Sequence, residues 1–481
     1  GMKLVLDLVL NHTSDRHPWF IESRSSRDNP KRHWYIWKDG IAKEPPNNWF
    51  STFGGPAWEY DETTSSFYYH FFLKEQPDLN WHNPEVKEAM FNVVRYWLDL
   101  GVDGFRLDSI GTIFEDENYP SIPDEMSQEE FYRLCRVNLD LPEDEYTRSY
   151  WNKMFGHQVD QPEVHPLMQE LRAVIDEYDD RVLIGETEDV AFYGTGDNEL
   201  HLNFNFPLMR TGQMKADHVR QNQRERLAAL PAGAWPCNTL GNHDRSRVLT
   251  AFGDGNNNVL QAKLNLMLLL TLKGTPFLYY GEEIGMSDYL LEDLSKFRDP
   301  LSFMYYGLEK KVFGSDEKEA ILIAALRGRD RNRTPMQWSG AVNGGFCPAN
   351  VKPWLPVNPN FTQGVNVEDE VGEPNSMINF YRKMIMARKM NPALQTGEYE
   401  EVNLENQEVL SYFRYDATQK ILVILNLSAG EQAVHIPMKV DRIVVNNLKN
   451  GILIEDQAPV LKPFQGIIYS VAESLNVAPS L

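Results

Sequence analysis

The 481-residue sequence predicts an α/β protein, a (β/α)8 TIM-type barrel with a small inserted domain and a C-terminal all-β sandwich domain. Through most of the chain, apolar strand-like runs alternate with helix-like segments, as in parallel sheets with right-handed crossovers. The length suits a barrel with appendages. After about residue 393 the apolar period becomes two and no helical segment intervenes, which is typical of an antiparallel domain.

The predicted elements follow in chain order. A strand opens the barrel over residues 3–10, where Asp7 alone interrupts an apolar run, as in a strand buried on both faces. A helix over residues 84–100 has Pro84 in its first turn and Gly101 after its end. The other predicted barrel elements are the strands 102–108, 181–187, 201–206, 235–241 and 275–281 and the helices 162–178, 208–230, 258–272 and 375–389.

Three domains are predicted from these elements. Residues 1–12 and 75–392 form the barrel, the loop-rich and Trp-rich residues 13–74 form the inserted domain, and residues 393–481 form the antiparallel β domain. Six barrel strands are counted, whereas the fold class has eight. We therefore expect the chain to lack the first two β/α units, with Gly1-Met2 as an artificial start. Open strand edges would then promote self-association.

Composition excludes several classes of function. A net charge of −22 argues against nucleic acid and anionic membrane surfaces, because both bind basic patches. No apolar run is long enough to span a bilayer. The three cysteines, Cys135, Cys237 and Cys347, are scattered and lack metal-ligand spacing, so no metal site is expected and the chain is predicted to be reduced and cytoplasmic.

Carboxylates mark the ends of several predicted strands, where a barrel carries its chemistry. In "GFRLD", Arg106 and Asp108 are two residues apart and face the same side, so the cation keeps the carboxylate ionised, as a nucleophile requires. Glu186 ends an apolar strand, and desolvation there would favour the protonated form of a general acid. Asp244, beside His243, could bind hydroxyls of a distorted sugar ring. Any one of these carboxylates could equally be a structural ion pair or a loop cap.

In these motifs the chain resembles the α-amylase superfamily of glycoside hydrolases, in its oligo-1,6-glucosidase and α-glucosidase branch. Six motifs in order carry the resemblance: "DLVLNH" (7–12), "QPDLNW" (76–81), "GFRLD" (104–108), "GETE" (185–188), "GNHD" (241–244) and "GRDRNRTPMQW" (328–338). It implies a retaining, exo-acting α-glucosidase that hydrolyses α-1,4 or α-1,6 bonds of short oligosaccharides. No cofactor is implied, and the Ca²⁺ loop of some relatives would lie in the missing part.

The resemblance also implies residue roles. Asp108 would be the nucleophile, Glu186 the acid/base and Asp244 the transition-state stabiliser. Asp7 would pair with Arg106, which would hold Asp108. The predicted sugar-binding residues are His12, His243, Arg333, which would close the far end of the site, and Phe53, which would stack on substrate or else pack within the inserted domain.

Two features leave alternatives open. Ser109 follows the nucleophile, and in the family a small residue there goes with α-1,4 tolerance, whereas Val goes with α-1,6 preference. Trehalose synthases resemble several of the same motifs, so a glucosyl isomerase is the first alternative. A catalytically poor or non-catalytic homologue is the second.

Overall fold

The computed structural model describes residues 1–40, 43–137, 145–402, 406–436, 438–448 and 459–471. The chain divides into two compact units. The first comprises Gly1–Phe204, Ala229–Trp235 and Gly307–Gly314, and the second comprises Asn205–Ala228, Pro236–Tyr306 and Ser315–Leu481.

Within its described residues, the first unit holds seven strands and five α-helices. The strands are β1 Val5–Val9, β2 Trp37–Lys38, β3 Trp58–Asp61, β4 Ser66–Tyr69, β5 Gly104–Asp108, β6 Val182–Gly185 and β7 Leu202–Asn203. The helices are α1 Pro18–Ser25, α2 Pro84–Asp99, α3 Gln128–Val137, α4 Glu145–Phe155 and α5 Val164–Ile175.

A four-stranded parallel sheet, in the order β1-β5-β6-β7, organises this unit. In its register Asp7 lies beside Arg106, and Val9 lies beside Asp108. Side chains at alternate positions of a strand share a face, so Arg106 and Asp108 project from the same face as Asp7. The sequence-predicted strands are therefore present, and their register brings three charged residues of the motifs together.

Helix α2 shows why the chain folds locally as it does. The Asn83 side chain caps its start by accepting a 2.9 Å hydrogen bond from the Glu85 N–H, and Pro84 occupies the first turn. Gly101, at φ +95°, turns the chain towards β5. The buried face repeats every four residues and packs into the core beneath the parallel sheet: Val86, Met90, Val94 and Leu98.

The Trp-rich segment forms a small antiparallel sheet in the order β2-β4-β3. Its aromatic core includes Trp49, Trp58 and Tyr69, and Tyr150 and Phe155 of α4 pack into the same cluster. The same aromatic cluster thus contains residues from both sides of residue 74, where the sequence suggests a domain boundary. The predicted domain boundaries stay predictions. Helices α3 and α4 lie in the segment between β5 and α5, where no helix is predicted from the sequence.

The second unit contains a parallel strand pair, β8 Cys237–Thr239 and β9 Thr275–Phe277. The predicted helix 208–230 is two helices, because the chain breaks around Gly212. The helices after β7 are α6 Phe206–Met209, α7 Ala216–Ala229, α8 Val248–Ala251, α9 Asn258–Thr271, α10 Pro300–Leu308, α11 Glu317–Arg327, α12 Val367–Val371, α13 Met377–Met390 and α14 Pro392–Thr396. A π-helical turn over Glu309–Phe313 belongs to the first unit.

The C-terminal part is antiparallel, as its period-two pattern predicts. The strands are β10 Glu398–Glu401, β11 Val409–Tyr415, β12 Lys420–Asn426, β13 Gln432–Ala433, β14 Val440–Asn446, β15 Val460–Leu461 and β16 Gly466–Val471. Five of them pair in the order β10-β11-β12-β16-β14, and β13 pairs with β15. Helix α9 packs closely on this sheet, since a Cβ on Gly466 would lie 2.8 Å from Leu264 and Met267. None of the described helices has the length and apolarity needed to cross a membrane.

Candidate active site

Arg106 is the centre of a carboxylate cluster in the first unit. Its Nη1 contacts Asp108 Oδ1 and lies 3.1 Å from Asp7 Oδ1, while Nη2 lies 2.7 Å from Glu186 Oε2. Burial lowers the pKa of Arg106, but the charges of Glu186, Asp108 and Asp7 more than offset this and raise it. One permanently charged guanidinium therefore contacts three acidic side chains, one from the middle of β1 and two from the ends of β5 and β6.

Ser109 adds a second set of contacts to Glu186. Its backbone N–H donates to Glu186 Oε2 at 2.9 Å, and its hydroxyl lies 3.4 Å from the same oxygen. Ser109 adopts a left-handed conformation (φ 43°, ψ 48°), which turns the chain after Asp108 and aims the N–H at Glu186. The sequence argument did not anticipate this contact, and no motif marks it.

Glu186 is both buried and surrounded by hydrogen-bond donors. Burial of a strand-end carboxyl was expected to favour its protonated form. Its side chain is only 19% exposed, but Oε2 receives hydrogen bonds from Arg106 and Ser109. Donors of this kind favour the ionised carboxylate. Burial and these donors act in opposite directions on Glu186, and its role as a general acid stays a prediction.

His12 lies beside this cluster as a neutral imidazole. Gln76 Nε2 donates to His12 Nε2 at 2.8 Å, and His12 Nδ1 donates to Asn11 Oδ1 at 2.9 Å. Burial lowers the pKa of His12 to about 4, despite the opposing charge of Asp108. Both ring nitrogens already have protein partners, so a sugar hydroxyl would have to replace one of them.

Phe53 belongs to an aromatic wall of the same unit. Its ring lies 6.0 Å from the ring of Phe72, which meets His12 edge-on at 5.2 Å. Phe53 is half-buried, so both stacking on substrate and packing within the segment stay open.

Asp244 is the centre of a second cluster, formed within the second unit just after β8. Arg333 Nη2 and Arg329 Nη1 both contact Asp244 Oδ1, the latter at 3.2 Å, and His243 Nε2 lies 3.3 Å from Oδ2. Arg333 Nε also donates to the His243 carbonyl at 2.8 Å. Burial raises the pKa of Asp244, but His243, Arg329 and Arg333 lower it by more, so the carboxylate is held ionised.

Arg329 and Asp299 are members of this cluster that the sequence argument missed. Asp299 pairs with Arg329 through both carboxylate oxygens, at 2.7 and 3.0 Å, and is almost fully buried. Arg329 lies in the quoted "GRDRNRTPMQW" motif, where only Arg333 was assigned a role. Asp299 has no local sequence signal, because its contact depends on tertiary packing.

A buried acid supports the segment that carries Asp244. A Cβ on Gly241 would lie 2.6 Å from Glu282 Oε1, so the "GNHD" segment needs glycine there. Glu282 is 6% exposed, and burial raises its pKa to about 8 against the opposing charge of Arg247. Glu282 is therefore a neutral acid at pH 7, packed directly behind the segment that carries Asp244.

The structure gathers the predicted site residues in two groups, one in each unit. Asp7, His12, Arg106, Asp108 and Glu186 share the first, which Phe53 approaches through Phe72, and the second is formed by His243, Asp244 and Arg333. Among the described residues no three His, Cys, Asp or Glu side chains are placed to hold a metal ion, and the expected absence of a metal stays a prediction.

Comparison with known proteins gives the family of the chain. Residues 1–397 match the alpha-amylase catalytic domain. The oligo-1,6-glucosidase of Parageobacillus thermoglucosidasius is 34% identical, over 98% of this chain and 83% of its own. A probable alpha-glucosidase of Rhizobium meliloti is 36% identical, over 91% of this chain and 76% of its own. The solved structure of trehalulose synthase MutB from Pseudomonas mesoacidophila MX-45 is 32% identical in sequence and superimposes with a TM-score of 0.84. The match covers 98% of this chain and 84% of MutB.

These matches cover most of both sequences in each pair, and the structural match extends through the C-terminal strands. They assign the fold class predicted from the sequence, a (β/α)8 barrel followed by a β domain. The chain belongs to the alpha-amylase family of glycoside hydrolases.

Proposed function

We propose that the protein is a retaining, exo-acting α-glucosidase that hydrolyses α-1,4 or α-1,6 glucosidic bonds of short oligosaccharides. The observation that carries this proposal is the pair of carboxylates on one guanidinium, with Asp108 and Glu186 on adjacent nitrogens of Arg106. Retaining glycosidases need two carboxyl groups about 5–5.5 Å apart. A shared guanidinium keeps the two groups close, and relatives named oligo-1,6-glucosidase agree with the substrate class.

The reaction would proceed in two displacements. Asp108 attacks the anomeric carbon while Glu186, protonated, gives its proton to the departing glycosidic oxygen. A covalent glucosyl–Asp108 ester results. Glu186 then removes a proton from water, which attacks the same carbon and releases glucose with its α configuration retained.

The neighbours of each carboxylate support these roles. Arg106 contacts Asp108 and so holds the proposed nucleophile in place. The donors on Glu186 suit the second step, in which it must accept a proton. In this proposal the ionised Asp244 binds hydroxyls of the distorted sugar, and Asp7, His12, Phe53, His243 and Arg333 complete the binding of the glucosyl group.

The test compares the wild-type protein with Asp108→Asn on 4-nitrophenyl α-glucoside. The variant should lose on the order of 10⁴-fold in kcat/KM, because an amide cannot form the ester. Asp103→Asn is the matched control: this residue pairs with Lys3 and lies just before β5 rather than at its end, so its activity should stay within about twofold. Equal activity of Asp108→Asn and wild type would contradict the proposal.

A glucosyl isomerase is the second candidate, because the solved relatives include trehalulose synthase and isomaltulose synthase at 32% and 30% identity. Incubation with sucrose and with maltose separates the two. Free glucose as the main product supports the hydrolase, whereas a rearranged disaccharide, such as trehalose from maltose, supports the isomerase.

The cellular location of the protein and its self-association are also proposals. We place the protein in the cytoplasm, because the three scattered cysteines of the sequence are typical of a reducing compartment. We also propose self-association through apolar side chains on and beside the parallel strands, since Val5 and Val9 of β1 are 37% and 39% exposed and Leu278, just after β9, is 41% exposed.

A further inference from the structure

We propose that Asp299 is a positioning residue, which anchors Arg329 so that this arginine fixes the carboxylate of Asp244. The inference rests on the function proposed above, in which Asp244 binds the sugar in the transition state. It concerns residues of the second unit alone.

The anchor is a buried, two-point ion pair. Asp299 Oδ1 accepts from Arg329 Nη2 at 2.7 Å, and Oδ2 accepts from Arg329 Nε at 3.0 Å. Oδ2 also accepts from the backbone N–H of Arg329 at 2.7 Å. The Asp299 side chain is 1% exposed. Because the guanidinium is planar, occupation of its Nε and Nη2 edge by Asp299 determines where Nη1 points.

Nη1 is the nitrogen that reaches Asp244, at 3.2 Å from Oδ1. Arg333 contacts the same oxygen, and His243 Nε2 lies 3.3 Å from Oδ2. Asp244 is thus restrained from two sides, and Arg329 is the restraint that has a buried anchor of its own. Movement of Arg329 would rotate the carboxylate as well as remove a contact.

The two segments that carry the anchor brace each other. Asp330 accepts from the backbone N–H groups of Arg298 and Asp299 at 2.7 and 3.1 Å, while Asp299 accepts from the backbone of Arg329. Each segment therefore gives a carboxylate to the backbone of the other. Gly328 packs so tightly that a Cβ would lie 1.8 Å from Ser302 Oγ. This rigidity suits a device that sets an orientation.

Charge supports the same conclusion. Burial lowers the pKa of Arg329, but Asp299 and then Asp244 raise it by more. Burial raises the pKa of Asp299, but Arg329 lowers it by more. Without Asp299, the desolvated guanidinium would lose its main partner and would shift towards Asp244 or water.

A double-mutant cycle tests the proposal, with Asp299→Asn, Arg329→Gln and their combination assayed on 4-nitrophenyl α-glucoside. Asp299→Asn should lower kcat/KM about 100-fold, the effect of a displacement of about 1 Å. If Asp299 acts through Arg329, the double variant should match Arg329→Gln within about threefold. The acid limb of the pH profile should also move to higher pH in Arg329→Gln, since Asp244 loses a cation.

Asp293→Asn is the matched control, because Asp293 is a half-exposed helix cap in the same unit and asparagine caps equally well. It should stay within twofold of wild type. Independent losses that multiply in the double variant, or an Asp299→Asn variant with more than a third of wild-type kcat/KM, would overturn the proposal. If Asp299→Asn does not melt cooperatively, Asp299→Glu, which keeps the charge but moves it by one methylene, should show the same dependence on Arg329.

The wild-type rate separates this proposal from the function itself. A wild-type protein that hydrolyses no α-glucoside would contradict the proposed function. The wild type and the same three variants, titrated calorimetrically with glucose, then give a cycle in Kd that needs no turnover. Additive changes in Kd there would reject the role of Asp299.

Discussion

Ser109 shows how a single backbone conformation can serve a site. Its left-handed φ of 43° directs its N–H to Glu186 immediately after Asp108. This conformation costs about 1–2 kcal/mol for a residue with a Cβ, and more for a β-branched one. The chain thus accepts a local cost to connect the two proposed catalytic carboxylates through one residue.

Two replacements of Ser109 should separate the effect of its hydroxyl on stability from the effect of its left-handed backbone conformation. Ser109→Ala keeps the N–H and should change the unfolding free energy by less than about 1 kcal/mol. Ser109→Val should destabilise the protein by about 1–3 kcal/mol, because a β-branched residue resists the left-handed region. Urea denaturation of the two variants measures the difference. Equal stabilities would show that the conformation is not strained.

Glu282 predicts a dependence of stability on pH. Its pKa rises from 4.5 to about 8 on folding. The stabilisation from its bound proton is complete below the unfolded pKa and is lost as pH rises from about 4.5 to 8, since the native state then binds more protons than the unfolded state. Relative to Glu282→Gln, the wild type should therefore become progressively less stable from pH 5 to pH 9.

Thermal and urea unfolding at pH 5, 7 and 9 measures this loss of stability. Each unit by which the folded pKa of Glu282 exceeds its unfolded pKa corresponds to about 1.4 kcal/mol of unfolding free energy. Glu283→Gln, one residue along and half-buried, reports the general effect of removing a negative charge from this turn. A constant difference between wild type and Glu282→Gln across the three pH values would contradict the burial argument.

At the scale of elements, helix α3 is fastened to the π-helical turn by one buried acid. Glu309 is fully buried, lies 2.9 Å from Arg136 Nε, and accepts a hydrogen bond from Tyr132. The Arg136 guanidinium lies 4.0 Å from the ring centre of Phe313. These contacts link α3 to a turn about 170 residues further along the chain.

Glu309→Gln should therefore destabilise the protein by about 2 kcal/mol, because it weakens charge-assisted hydrogen bonds and removes a buried negative charge beside Arg136. Glu130→Gln is the matched control on the same helix, since Glu130 forms an exposed pair with Arg133 and should cost under about 0.5 kcal/mol. Equal losses in urea unfolding would show that burial adds nothing to the Glu309 pair.

The sequence predicted the parallel strands well because each is a short apolar run that ends in a motif. Strands β1, β5 and β6 lie within the predicted segments, and the register of Asp7 with Arg106 follows from them. Helix α3 was missed although Phe131, Leu134 and Cys135 have helical spacing, because its polar flanks obscure the period.

Tertiary contacts were less accessible to sequence reasoning. The "GFRLD" spacing predicts that Arg106 faces Asp108, since both lie on one strand. The partnership of Arg329 with Asp299 joins residues thirty positions apart through loops without periodicity, so no local pattern encodes it. The contacts of Glu186 were missed for a related reason, because Ser109 and Arg106 approach it from a neighbouring strand.

At the scale of the whole molecule, self-association is expected to depend on exposed side chains of β1. Val9 is 39% exposed on a parallel strand, and a lysine there would oppose edge pairing and apolar contact. Sedimentation velocity at several concentrations should show a smaller associated fraction for Val9→Lys than for wild type. Val259→Lys, on the exposed face of α9, controls for the added charge. A concentration-independent monomer in the wild type would reject the expectation.

The carboxylate cluster around Arg106 also has a consequence for solution conditions. Three carboxyl groups, those of Asp7, Asp108 and Glu186, contact the single guanidinium of Arg106, so acidic groups are in excess over this one positive charge. A small protonated amine would be drawn to that excess, and more strongly at low ionic strength. Assays buffered with a primary amine should therefore show competitive inhibition that phosphate buffer does not.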